Sequence, residues 1–93
     1  MAEATLRADV WLWRARFCKT RSHAARLIEE GRVRLSRGGV ESRLDKPART
    51  LRAGDGLVFA LAGRLHAIRV EALGERRGPA AEARTLYSPL EES

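Results

Sequence analysis

Residues 7–37, RADVWLWRARFCKTRSHAARLIEEGRVRLSR, decide how this chain folds. Ala8, Trp11, Leu12 and Ala15 recur at i, i+3, i+4 and i+7, the spacing of one helix face, and Asp9 near the start suits the helix dipole. The same helix carries Val10, Trp13 and Phe17 on its other side, too apolar to be left in water, so the C-terminal tail is expected to cover them. Thr20 is the predicted N-cap of a second helix with the stripe Ala24, Leu27 and Ile28, stopped by Gly31. At Val33 the period changes to two and a strand begins.

Between the two helices lies the basic turn Lys19-Thr20-Arg21-Ser22, with His23 and Arg26 one turn further on. Exposed amides at a helix N-terminus, the positive end of its dipole and two guanidinium groups make a site for phosphate. The charge is local: residues 14–52 hold twelve Lys or Arg against four Asp or Glu, a balance of +8, while the whole chain carries +6. A patch of this kind points to a polyanion such as structured RNA. The expected contacts are Arg16, Lys19, Arg21 and Arg26, helped by Thr20, Ser22 and His23, and extended along the next strand by Arg32, Arg34 and Lys46. Sixteen of the eighteen cations are Arg, a choice that suits bidentate phosphate contacts and equally suits a GC-rich genome.

Outward from this segment, residues 1–6 read as a leader. Gly38-Gly39 is a turn that opens a longer loop to Lys46, and Lys46-Pro47 is an irregular connection. Ala53-Gly54-Asp55-Gly56 is a turn before the strand of Leu57, Phe59 and Leu61, which pairs through Ala62-Gly63-Arg64 with a strand from Leu65 to Val70. The tail, residues 75–93, reads helical through Ala80, Ala81, Ala83, Leu86 and Tyr87. Trp11 belongs to the core, whereas Trp13 either packs beneath the tail or stacks on a base.

At 93 residues the chain is expected to be one domain, 1–93, with a core over 7–70. No phosphate-binding glycine loop, nucleophile elbow or paired carboxylates are recognisable, and two histidines with one cysteine make no metal set, so neither catalysis, metal nor cofactor is expected. His66 reads as a strand residue. The single Cys18 cannot form an internal disulfide, and neither a membrane span nor a signal peptide is recognisable, so a soluble cytoplasmic protein without a small-molecule substrate is expected.

Arg7, Ala8, Asp9, Leu12, Thr20, Arg21, Ser22, Leu27, Ile28, Gly31 and Val33, with Lys46-Pro47 and Gly54-Asp55 later, resemble the RNA-binding domain first seen in the fourth small-subunit ribosomal protein, the S-four domain. The resemblance implies an α+β, S-four-like (alpha-L) fold, with two N-terminal helices on a small, mostly antiparallel sheet and a C-terminal helical segment. The Trp-Leu-Trp of 11–13 and the tail residues Arg76, Arg77, Pro79, Ala80, Glu82, Ala83, Leu86 and Tyr87 resemble a bacterial, ribosome-associated branch of this family. That branch implies binding to ribosomal RNA, and to tRNA, on large ribosomal subunits that still carry a nascent chain, in rescue or recycling under heat stress; a monomer is expected. The same domain also accompanies pseudouridine synthases and RNA methyltransferases, so an accessory RNA-binding domain of such an enzyme is the alternative, with a generic RNA-binding domain behind it. The chain departs from the family at Ser36-Arg37-Gly38-Gly39, where an Asn-Gly turn is usual, and it stops short of the long basic extension of better-known members, so weaker ribosome association than theirs is expected.

Overall fold

The structure is a computed structural model and describes residues 4–90. Strand β1 (Leu6–Arg7) leads directly into helix α1 (Ala8–Arg14), and helix α2 (Arg21–Glu29) follows. Then come β2 (Val33–Arg37), β3 (Val40–Leu44), β4 (Thr50–Leu51), β5 (Gly56–Leu61) and β6 (Arg64–Val70). A short helix α3 (Ala80–Ala83), a 3-10 turn (Arg84–Leu86) and β7 (Tyr87–Pro89) complete the described residues. Five strands form one antiparallel sheet in the order β3-β2-β5-β6-β7, and β1 pairs with β4. This is the α+β, S-four-like architecture.

Alternation sets the two faces of the sheet. Val33, Leu35, Leu44, Leu57, Phe59, Ile68 and Val70 point inward and join Trp11, Leu12, Ala24, Leu27 and Ile28 from the helices in one core. Arg34 and Arg43 lie opposite one another and point out, with Val58 beside Arg34 on β5.

The two helices end in the same way. After α2, Gly31 takes φ +73°, its amide donates to Ile28 O, and the Arg32 amide reaches back to Leu27 O. After α1, Arg16 takes φ +66°, its amide donates to Trp13 O at 3.1 Å, and the Phe17 amide reaches Leu12 O at 3.1 Å. Both are left-handed helix stops with paired closing bonds. An L-residue at such a position is strained by roughly 1–2 kcal/mol, and the bond from Arg16 Nε to Gly78 O at 2.6 Å offsets part of it. The periodicity through Phe17 therefore overstates α1, which ends at Arg14.

Helix α1 depends on distant backbone at both ends. Its first amides donate to the 46–49 loop, Ala8 to Arg49 O at 2.9 Å and Asp9 to Pro47 O at 3.3 Å. Asp9, only 4% exposed, accepts both Nε and NH2 of Arg7 and the Val10 amide. Its hydrogen bond and charge raise the Arg7 pKa further. Along the outer side, Trp11 Nε1 donates to Ala72 O and Arg14 to Gly74 O, while Arg77 donates to Trp13 O. The Arg77 guanidinium also lies 5.9 Å over the Trp13 ring. Trp13 is thus covered by the extended stretch 72–78, where Arg77 begins the tail, while Phe17 packs on Tyr87 near the tail's end, so the tail covers both rings as strand and extended backbone and not as a helix.

Three expectations are corrected. Residues 40–44, read as loop, form β3, because Gly38 (φ +58°) and Gly39 (φ +81°) make a two-residue hairpin turn of the kind that matches strand twist. Within residues 1–6, Leu6 is not leader but pairs with Leu51. The tail leaves the helix after Leu86, and Tyr87 pairs with Val70 as a strand. The tail expectation for residues 91–93 lies outside the described residues.

Candidate nucleic-acid interface

Thr20 is extended (φ −136°, ψ 158°), and its hydroxyl oxygen accepts the His23 amide at 3.0 Å, a side-chain N-cap. The Ala24 amide is the first to close a backbone bond within α2, to Thr20 O. The amides of Arg21 and Ser22 therefore have no partner within the helix and sit at the positive end of its dipole. Lys19, Thr20, Arg21, Ser22, His23 and Arg26 are all exposed, and no ion pair among the described residues engages Lys19, Arg21 or Arg26. Ser22 and Arg26 are one turn apart on one side of the helix. Bare cations and open amides converging on one exposed turn are what a phosphate oxygen needs.

The remaining expected residues divide by place. Arg32, Arg34 and Lys46 belong to the opposite end of α2, since Val33 at the start of β2 pairs with Leu44 just before Lys46. A nine-residue helix puts about 13 Å between the two groups, with Arg26 between them. Arg32 and Arg34 have acidic neighbours, Glu30 at 3.5 Å and Glu41 at 3.6 Å, both exposed pairs of small energetic weight. Arg16 is exposed, but its Nε is held by Gly78 O, so it braces the turn first.

Arg37, which continues the basic run in sequence, turns away from this surface. Its Nε and NH2 grip the two carboxylate oxygens of Asp55 at 2.8 and 2.7 Å, while Asp55 also accepts the Arg52 amide at 2.9 Å. In its stead the structure brings up Arg43 and Arg49. Arg43 stands opposite Arg34 and lays its stem against Gly31, and Arg49 is exposed in the loop after Lys46. Only the β2–β3 register places Arg43 there, and the Gly38-Gly39 turn was the signal for that register.

Cys18 lies beneath the turn, fully buried, and burial pushes its thiol up to about 11 from the ordinary 9.0. The neutral thiol is favoured in the folded state. Its contribution to stability is fully present below pH 9.0 and is lost as pH rises toward about 11. A thiol-specific chromogenic reagent at pH 8 is accordingly expected to leave the folded protein unmodified and to react at once after denaturation; fast reaction with the native protein would contradict this. Among the described residues no three His, Cys, Asp or Glu side chains group as metal ligands, and no helix is long and apolar enough to cross a membrane.

The S4 domain family model matches residues 6–36, which span β1, both helices and nearly all of β2. Fold and basic corner together define an RNA-binding protein of the S4 class. Among curated proteins, the chain is 37% identical over 93 residues to a heat shock protein 15 homolog of Haemophilus influenzae, covering all of this chain and 67% of that one. It is 35% identical over 88 residues to heat shock protein 15 of Escherichia coli, covering 95% of this chain and 62% of the relative. A solved structure of Vibrio cholerae heat shock protein 15, described as trimeric, superposes with a TM-score of 0.82 at 32% identity, over 94% of this chain and 83% of that one. The chain belongs to the heat shock protein 15 family, and it spans about two thirds of the length of these curated relatives.

Proposed function

We propose that the protein grips structured RNA of the large ribosomal subunit, ribosomal RNA and peptidyl-tRNA, through the N-terminal turn of α2, and acts without catalysis in recycling subunits stalled with a nascent chain under heat stress. The observation that carries this reading is the turn itself: Lys19, Arg21 and Arg26 exposed without an ion pair among the described residues, beside two open helix amides. RNA phosphates supply the missing charge, and phosphate contacts fix position without requiring sequence. Arg34, Arg43 and Lys46 extend the grip along the duplex backbone. Family membership supports RNA as the partner and the heat-shock setting.

The test is sedimentation of the tagged protein with separated ribosomal particles at low salt. Association with free large subunits, stronger when they carry peptidyl-tRNA and lost on RNase treatment, is expected. Sedimentation with small subunits alone would overturn it. Sedimentation velocity of the free protein would decide between the monomer expected from the sequence and a trimer like that of the Vibrio cholerae relative.

A further inference from the structure

The turn that carries the basic residues also carries an aromatic ring. Phe17 follows the left-handed Arg16 and precedes Lys19 by two residues. Its ring lies 5.3 Å from His66, edge-on, and 4.7 Å from Tyr87. Beneath them Phe59, 1% exposed, stacks on His66 at 5.2 Å with 23° between the planes. Phe17, His66 and Tyr87 are each part-exposed, and among the described residues no hydrogen bond engages the His66 ring or the Tyr87 hydroxyl. Trp13 is different, because Arg77 lies over its ring.

We propose that Phe17, His66 and Tyr87 form a stacking site for one unpaired nucleobase of the RNA whose backbone the α2 turn holds. This rests on the RNA-binding reading and adds a specificity to it. Every base offers a π-face to an aromatic surface, and its edge can bond to the open imidazole and hydroxyl. Lys19 on the turn and Arg64, two residues from His66 on the same side of β6, flank the rings with exposed cations for the adjoining phosphates. A paired stem cannot present such a base, whereas a bulge or loop can. The site thus favours irregular RNA over a plain duplex.

The experiment compares two RNA stems, one fully paired and one carrying a single extrahelical 2-aminopurine. Wild-type protein is expected to bind the bulged stem at least fivefold more tightly and to quench its fluorescence. His66→Leu, which fills the space against Phe59 and Phe17, should bring the two affinities together without changing duplex binding, and His66→Phe should keep the quenching. Thermal melts of both variants check the fold. Equal wild-type affinity for both stems, or a bulge preference that survives His66→Leu, would overturn the stacking site and leave the phosphate grip standing. Failure of wild type to bind either stem would overturn both.

Discussion

Reversing Arg21 and Arg26 together to Glu is expected to weaken binding to structured RNA by about a hundredfold or more, because two charge-assisted contacts of roughly 1.5–3 kcal/mol each are lost. Each phosphate contact also contributes about 0.7–0.9 to the slope of log affinity against log salt, so the slope should fall by about 1.5. Both side chains are exposed and make no ion pair among the described residues, so the melting temperature should hardly move. Arg69→Glu is the control: it is exposed on β6, with β5 between it and β2 and apart from the α2 turn, and its reversal should cost little. Equal losses from the two variants, measured by titration at several salt concentrations, would mean diffuse attraction by net charge and not a localised grip.

The second large effect concerns stability. Asp55 is 1% exposed and holds the Arg37 guanidinium and the Arg52 amide in one network that ties the end of β2 to the turn before β5. Removing one partner of a buried ion pair strands the other, at about 3–5 kcal/mol. Arg37 retains some access to water, which puts the expected loss for Asp55→Ala near the lower figure, roughly 3 kcal/mol. For a domain of this size that is a fall of about 12–24 °C in melting temperature. Well below the transition, RNA affinity should be nearly unchanged, since Arg37 faces away from the α2 turn. A loss of affinity at full folding, seen by calorimetry and binding at low temperature, would place Arg37 in the interface instead.

Helix α2 and the core of its basic turn are legible in the sequence because their determinants are local. Thr20 caps, Gly31 stops, and Lys19 through Arg26 follow one another through the turn and the first half of one helix. The end of α1 is not legible, since Arg16 in the left-handed region carries no glycine to announce it, and what holds it there is a carbonyl sixty-two residues away. Strand β3 hides because it is an edge strand with one inward apolar side chain, Leu44, while Val40 is 68% exposed. Arg43 is hidden with it. Alanines at 80, 81 and 83 extend a helical reading into Tyr87, but pairing with β6 overrides that propensity.

Helix α1 is seven residues long, too short to persist on its own in water; its bonds reach carbonyls at 47 and 49 on one side and at 72 and 74 on the other, and Arg16 just past its end is held by the carbonyl at 78. In a chain emerging from its N-terminus, those closures cannot form until residue 78 has been made, although α2 and the β2–β3 hairpin can assemble from nearby sequence. The RNA grip consequently acquires its final shape late in synthesis. A nascent copy stopped before that point would display the cations of the turn on an unfinished scaffold, and competence to bind would mark a chain translated at least through Gly78.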